Sequence, residues 1–282
     1  MVEKIFHVDY HFHANLPRSD RKAILKCKSR WEECKEKGIN VLISTEHVFK
    51  DPKRAFEFME KTKPRGFYVF PGVEYLTTEG AEILIFSNSK KIYSFKELEP
   101  LNLNYHETVE FILKKNLVGV IAHPYAFGPT SMMRVCGLER YISLSNILNS
   151  IEISNSGLNN LYRLLKCFPL NYIFKSEIVG IKLMKKVPEE SYPKRVRLLA
   201  VGSDAHHLGE LGTHVVIKST EKELFNKISH NENPEYIEKE YEKPDLILLL
   251  RQLTESLFEF SIKFRLMVRK RLATRKARKN IC

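Results

Sequence analysis

Short apolar runs that end in polar residues recur along the chain, and the first of them lies near its start. Residues 5–8 form an apolar, partly β-branched run that leads directly into Asp9-Tyr-His11-Phe-His13. Side chains alternate along an extended strand, so Asp9, His11 and His13 are predicted to share one face. Two imidazoles two residues apart on one face suit a single metal ion, and Asp9 is placed to orient one of them as a hydrogen-bond acceptor.

Six further apolar runs predict a sheet whose strands alternate with helices. The strands are predicted over residues 40–44, 67–70, 81–86, 118–122, 151–153 and 197–201. Helices are predicted over residues 20–37, 52–63, 106–116 and 221–229, with helix and loop over residues 158–195. Strands that alternate with helices favour a mainly parallel sheet or barrel of the α/β class.

Polar residues of metal-binding type directly follow strand after strand. They are His11 and His13, His47, Glu74, His123, and Asp204 with His206. In an α/β barrel the carboxyl ends of all strands meet at one mouth. Any one of these residues alone is more often a surface or capping residue. Five clusters at the same end of successive strands favour a single shared site.

Length and composition fit one large α/β domain with a small appendage. The chain has 282 residues, of which 43% are hydrophobic. The N-terminus turns polar at Glu3, and the apolar run at residues 246–250 is too short to cross a bilayer, so neither a signal peptide nor a membrane span is predicted. The five cysteines are odd in number and lack zinc-finger spacing, which indicates reduced thiols in a cytoplasmic protein.

The net charge of +12 is concentrated at the C-terminus. Residues 261–282 hold nine Lys or Arg and no Asp or Glu, so the rest of the chain is nearly balanced. From about residue 243 apolar residues recur at spacings of three and four, which predicts an amphipathic helix that ends in a basic tail over residues 263–279. A packing helix with a solvated tail fits this pattern, and so does docking on nucleic acid or, less readily, on an anionic membrane.

Taken together, the motifs resemble the PHP superfamily, named for its polymerase and histidinol phosphatase domains. The matching stretches, in the family's order, are Asp9–His13, Thr45–His47, Pro71–Glu74, Ala122–Pro124, Ile151–Asn155 and Gly202–His206. The resemblance implies a distorted seven-stranded (β/α) barrel that holds two or three metal ions and acts on phosphate esters. It divides the chain into a PHP domain, residues 1–220, and a helical extension with a basic tail, residues 221–282.

The resemblance also implies which residues hold each metal ion. One ion would be held by His11, His13, Glu74 and Asp204. Glu74 would bridge to a second ion that His123 also contacts, and His47 and His206 would hold a third. Mixed His and carboxylate ligands suit one to three Zn²⁺, Mn²⁺ or Fe²⁺ ions without selecting among these metals.

The first and second motifs depart from the family's pattern. An aspartate is expected about five residues after His13, where this chain has Arg18, and Asp20 would replace it only if the loop rearranges. The aspartate that usually precedes the second-motif histidine is Glu46 here. The third ion therefore lacks an expected acidic ligand.

The third motif departs as well. Many relatives carry a histidine a few residues after the position of Glu74, where this chain has Ala81 and Leu84. Glu82 or water would then have to replace the missing ligand of the second ion. Only the first metal site is complete in the sequence.

The predicted chemistry is hydrolysis of a phosphate ester, on a nucleotide or a nucleic-acid end, by metal-activated water. His123 or His206, if not bound to metal, would protonate the leaving oxygen. Glu152 would orient water or a ligand, or serve as a structural carboxylate. The alternative function is a PHP module with degenerate metal sites that binds nucleic acid or a protein. The sequence leaves the substrate, the metal and the oligomeric state open.

Overall fold

The computed structural model describes residues 2–125, 131–157, 159–167, 170–173, 182, 186–239, 243 and 245–279. Its strands are β1 (Lys4–Phe12), β2 (Val41–Ser44), β3 (Tyr68–Leu76), β4 (Glu82–Phe86), β5 (Val118–Ile121), β6 (Ser150–Asn155), β7 (Leu198–Gly202), β8 (His214–Ser219) and β9 (Glu235–Ile237). Its α-helices are α1 (Asp20–Glu36), α2 (Pro52–Thr62), α3 (Tyr105–Lys114), α4 (Met132–Cys136), α5 (Leu138–Leu148), α6 (Asn159–Leu165), α7 (Leu170–Ile173), α8 (Leu224–Ser229) and α9 (Leu246–Lys279). Short 3-10 helices lie at Lys90–Ser94, Lys96–Leu98 and Glu189–Ser191.

The strands form one barrel-shaped sheet that is nearly closed. Their order is β7-β6-β5-β4-β3-β2-β1-β8-β9. The end of β7 returns to β1, where the Asp204 backbone N–H donates to the His11 carbonyl at 2.7 Å and the His13 N–H donates to the Ala205 carbonyl at 3.2 Å. The first strand and the last predicted strand are therefore neighbours at the carboxyl end of the barrel.

The α/β class is confirmed, but the seven-stranded (β/α) barrel is wrong in strand number and direction. All seven predicted strands are present, and β8 and β9 add an antiparallel edge beside β1. In addition, β4 runs antiparallel to β3 and β5, so the sheet is mixed rather than mainly parallel. The pattern of β8 did not predict a strand because its apolar run, Val215–Ile217, is only three residues long and is flanked by His214 and Lys218.

The sheet continues beyond residue 220, where the resemblance places a domain boundary. β9 pairs with β8 as far as Ile237. The division of the chain at residue 220 stays a prediction. The helix-and-loop prediction for residues 158–195 is described only in part, with α6, α7 and the last 3-10 helix inside it.

Buried apolar side chains form two clusters that hold the strands rigid. The larger surrounds the sheet and includes Phe6, Tyr10 and Phe86, all at most 1% exposed. The smaller packs α1 and α2 against β2 around Trp31, whose indole N–H donates to the Met59 carbonyl at 3.1 Å. These clusters fix the strand ends from which the polar motif residues project.

The thiols and the membrane prediction can be compared with the described residues. Cys27, Cys34, Cys136 and Cys167 are free thiols, as predicted, and Cys282 lies outside the described residues. Within the part of the chain that is described, every helix is too short or too polar to cross a bilayer.

Helix α9 is confirmed as a helix, but the prediction of its buried face is wrong. Of the apolar residues in the pattern only Leu249 is buried, whereas the exposed ones are Leu246, Leu250, Leu253, Leu257, Phe260 and Phe264. Further along the helix the buried side chains are Glu259 and Lys263, which are 8% and 7% exposed. The helix turns this face inward because both residues form ion pairs with the strand ends.

The close approach of β7 to β1 depends on Gly202. A Cβ there would overlap the Cβ of His11 and lie 2.8 Å from its backbone nitrogen. We expect Gly202→Ala to lower the free energy of unfolding by about 2–3 kcal/mol, because the backbone must shift. Gly66, at a φ of +84° in open space, is the control, and Gly66→Ala should cost about 1 kcal/mol. Chemical denaturation measures both, and equal losses would contradict the tight contact of β1 with β7.

Candidate metal centre

The predicted ligands all lie at the carboxyl end of the barrel. His11 lies in β1, and His13 follows that strand; His47, His123, Asp204 and His206 lie in the loops after β2, β5 and β7. Glu74 differs from its predicted place after a strand. It lies within β3, because this strand continues to Leu76 to pair with β4.

The four side chains predicted to hold one ion converge. The Nε2 atoms of His11 and His13 are 3.0 Å apart, and Asp204 Oδ1 lies 3.3 Å from each. The two carboxylate oxygens of Glu74 lie 3.5 Å from these nitrogens, one from each. All four donors are buried or nearly so, with both imidazoles fully buried.

Glu74 also reaches the residues predicted for a second ion. Its Oε1 lies 3.0 Å from His123 Nε2. Glu82 lies beside this pair, with Oε2 3.8 Å from His123 Nε2 and Oε1 3.7 Å from His47 Nδ1. Of the two replacements considered for the missing histidine, Glu82 is therefore close enough to serve.

The residues predicted for a third ion lie together with His13. The His13 ring centroid is 4.1 Å from that of His206 and 4.5 Å from that of His47. The Nε2 atoms of His47 and His206 are 3.4 Å apart. Glu259 Oε1 lies 2.9 Å from the first of these atoms and 3.2 Å from the second, so a carboxylate from α9 enters this cluster.

The donor atoms fit divalent ions. They form four groups whose ligand atoms lie within 4.8 Å of one another: His11-His13-Asp204, His11-Glu74-His123, His13-His47-His206 and His47-Glu74-Glu82. His47 Nδ1 and Glu74 Oε2 are buried 2.6 Å apart, yet no described residue gives either of them a hydrogen bond. Buried polar atoms without partners are costly, and a cation bound between them removes that cost.

Two carboxylates stand behind the imidazoles and fix their orientation. Glu152 Oε1 lies 3.0 Å from His11 Nδ1, and its Oε2 accepts the backbone N–H of His123 at 2.6 Å. Glu46 Oε1 lies 3.4 Å from His13 Nδ1. A carboxylate at the far nitrogen of a metal-binding histidine sets the tautomer and the ring orientation. Glu152 therefore lies where it would orient a ligand.

Asp9 has a different role from the predicted one. It accepts the backbone N–H of His11 and of Ser203, both at 3.0 Å, and also the Ser203 hydroxyl. The prediction that it orients an imidazole is wrong, because its carboxylate turns toward the backbone at the end of β7. Burial raises the pKa of Asp9 to about 7, although these hydrogen bonds act against the shift. Asp9 thus joins β1 to the loop that carries Asp204.

Two predicted ligands have backbone conformations that non-glycine residues seldom adopt. The φ angle is +51° at Asp204 and +25° at His123. Such conformations cost about 1–3 kcal/mol and persist where the surroundings enforce them. Here the backbone N–H of Asp204 donates to the His11 carbonyl, and that of His123 donates to Glu152. The closure of the barrel thus places both ligands.

The pKa shifts at the site follow from its opposed charges. Burial lowers the pKa of His11, but the surrounding carboxylates, led by Asp204, outweigh burial and raise it well above its usual value. Burial raises the pKa of Glu74, but nearby imidazoles, led by His47, hold it well below its usual value. The pKa of His13 is lowered, first by burial and then by its two neighbouring histidines. The carboxylates and imidazoles therefore lie close enough to shift one another's pKa, as expected of side chains that converge on one point.

Two charged residues of α9 lie in the site although the motifs did not predict them. Glu259 contacts His47, and Lys263 Nζ lies 2.6 Å from Glu82 Oε1. Asp20 does not replace the missing aspartate, because it is exposed and pairs with an arginine of α2. One signal was available: Glu255, Glu259 and Lys263 recur at intervals of four, which places them on one helix face.

No protein-family model matches this chain, and no curated protein matches its sequence. Among solved structures, PsfC from Pseudomonas syringae PB-5123 has a TM-score of 0.56 at 16% identity, over 91% of this chain and 100% of that one. The lesion-specific endonuclease Q from Pyrococcus furiosus has a TM-score of 0.48 at 16% identity, over 83% and 58% of the two chains. An endonuclease Q complex with a 27-mer duplex that carries an abasic lesion gives 0.43 at 15% identity, over 80% and 56%. The similarity to PsfC shows a shared fold.

A substitution of Asp204 tests whether the group His11-His13-Asp204 binds a metal ion. Asn keeps the size of the side chain and tolerates a positive φ, but it removes the negative charge. We expect Asp204→Asn to lose the metal ion of this group while its circular dichroism spectrum stays unchanged. Asp20→Asn, at an exposed aspartate, is the matched control and should keep full metal content. Elemental analysis after dialysis measures both, and full occupancy in Asp204→Asn would refute the assignment.

Proposed function

We propose that this protein hydrolyses phosphate esters with divalent metal ions held at the carboxyl ends of its strands. The observation that carries the proposal is the overlap of the four ligand groups, since His11, His13, His47 and Glu74 each belong to two of them. Divalent ions bound by such shared ligands neutralise phosphate charge and lower the pKa of water at the site. Motif order and the barrel-shaped sheet support membership of the PHP superfamily.

The protein's own residues would orient the ligands and supply a proton. Glu152 holds the His11 ring and the His123 backbone, and so positions two ligands at once. Whichever of His123 and His206 does not bind a metal ion is the proposed proton donor to the leaving oxygen. Their side chains are 7% and 14% exposed, whereas His11 and His13 are fully buried, so the proposed donors lie nearest the substrate side. The group formed by His11, His13 and Asp204 requires neither of them.

A binding module without catalysis is the second candidate function. One observation favours it: α9 fills the mouth of the barrel with Glu259, which contacts His47 and His206, and with Lys263, which pairs with Glu82. A lysine ammonium beside Glu82 neutralises a carboxylate that would otherwise be available to a metal ion. This candidate predicts one weakly bound ion or none.

Metal content and turnover together separate the two candidates. The purified chain would be analysed for Zn, Mn and Fe and tested with an aryl phosphomonoester and an aryl phosphodiester. We expect two or more ions per chain, hydrolysis of at least one ester, loss of turnover with a chelator, and recovery when metal is restored. Asp204→Asn should show no turnover above background. A metal-loaded chain that hydrolyses neither ester would favour the binding module.

The basic tail is proposed to bind a nucleic-acid substrate. Lys263 is buried against Glu82, so it is not one of the tail cations proposed to contact phosphate. If about four tail cations engage, the slope of log K against log salt should be about −3 to −4. The variant Arg265→Gln/Arg269→Gln, at two exposed positions of α9, should flatten this slope by up to about 2.

The matched control for the tail is Lys35→Gln/Lys37→Gln, which removes two exposed charges at the end of α1. Fluorescence anisotropy with a labelled oligonucleotide measures the salt slopes. The control should keep the slope of the unaltered chain, and neither variant should change turnover of the aryl phosphates. If both variants and the unaltered chain show the same salt slope, the tail does not bind nucleic acid and is only a solvated end.

A further inference from the structure

Helix α9 is fixed against the barrel by specific contacts near its start. The Asn160 side chain donates to the Asp245 carbonyl at 2.7 Å and accepts the Asp245 backbone N–H at 2.8 Å. The Gln252 amide donates to the Gly157 carbonyl at 3.1 Å, and Leu248 is buried. These contacts set the rotation of the helix, and so determine which of its side chains face the ligand cluster.

The side chain of Glu259 lies where two histidine nitrogens converge. Its Oε1 is 2.9 Å from His47 Nε2 and 3.2 Å from His206 Nε2, and the two nitrogens are 3.4 Å apart. Lys50 Nζ lies 2.9 Å from the same oxygen and 2.7 Å from Glu255. Glu259 therefore contacts both histidines and Lys50 through one oxygen atom.

The hydrogen bond at Nδ1 of His206 leaves its Nε2 directed at Glu259. His206 Nδ1 lies 2.9 Å from the Asp204 carbonyl oxygen, which can only accept. Nδ1 therefore carries the proton, and Nε2 of the neutral ring presents a lone pair. An ionised carboxylate also only accepts, so two acceptors face each other unless a proton or a metal ion lies between them.

His47 also lies with one ring nitrogen facing an oxygen acceptor and the other facing Glu259. Its Nδ1 faces Glu74 Oε2 at 2.6 Å, and its Nε2 faces Glu259. When a proton rather than a metal ion lies between Nδ1 and Glu74, the neutral ring directs the lone pair of Nε2 at the Glu259 carboxylate. Two imidazole lone pairs and one carboxylate oxygen within 3.4 Å of one another form a donor set of the kind that binds Zn²⁺.

We propose that Glu259 is a metal ligand, which α9 supplies to the group formed by His13, His47 and His206. It takes the place of the acidic residue that is missing where the chain has Arg18. The inference rests on the proposed function for the presence of metal, but it concerns a residue that no motif predicts. Lys50 positions this carboxylate and Glu255 from the outside. The C-terminal helix is then a structural part of the metal centre.

Zinc binding by the full chain tests this assignment. Glu259→Gln should lose one ion per chain, or bind it at least about tenfold more weakly, in competition with a chromophoric chelator. Glu255→Gln is the matched control, because Glu255 lies one turn earlier and also pairs with Lys50. It should bind zinc like the unaltered chain. Glu259→Asp keeps a carboxylate and should recover part of the lost binding, which separates ligation from misfolding.

A double variant identifies the ion that is lost. His206→Ala changes a residue that belongs to this group alone, so it should remove the same ion as Glu259→Gln, and the combined variant should show no further loss. Full zinc content in Glu259→Gln would overturn the inference, as would an equal loss in Glu255→Gln or an unaltered chain that binds no zinc.

The outcome is independent of turnover. A chain that binds zinc through Glu259 and hydrolyses no ester would contradict the proposed function and leave the ligand assignment in place. If the unaltered chain hydrolyses esters and Glu259→Gln keeps all its zinc, the ligand assignment is contradicted and the proposed function stays in place.

Discussion

Buried charge must be compensated, and this constraint shapes the mouth of the barrel. Glu46, Glu74, Glu82 and Glu152 are each at most 2% exposed at this mouth. Unpaired, such carboxylates would each cost several kcal/mol. Imidazoles compensate part of this charge, and Lys263 compensates Glu82. The same demand draws the charged face of α9 inward and leaves its leucines and phenylalanines exposed to solvent.

The second requirement is closure of the sheet. His11 and Asp204 are separated by most of the chain, and they meet only because Gly202 lets β7 pass close to β1. Asp9 then fixes the approach, because its carboxylate accepts the backbone N–H of His11 in its own strand and both the N–H and the hydroxyl of Ser203, which directly follows β7. Closure therefore sets the distances between the candidate ligands of β1 and β7.

Residues from elsewhere in the fold lie where the predicted motifs lack a ligand. Glu46 lies behind His13 where an aspartate is usual, and Glu82 lies near the second ligand group. Glu259 reaches the third group from the last helix. A missing motif residue therefore does not by itself indicate a missing site, because a ligand needs only to reach the right point in space.

The sequence by itself determined seven strands and the predicted ligands at their ends, because side-chain alternation and the order of motifs are local properties. It did not reveal β8 and β9, because the apolar runs in these strands are only two or three residues long. The buried face of α9 was decided only by tertiary structure. Apolar periodicity favoured its leucines, but carboxylates, imidazoles and a lysine from other parts of the chain attract Glu259 and Lys263 instead. That electrostatic field exists only after the barrel has closed, so no local pattern contains it.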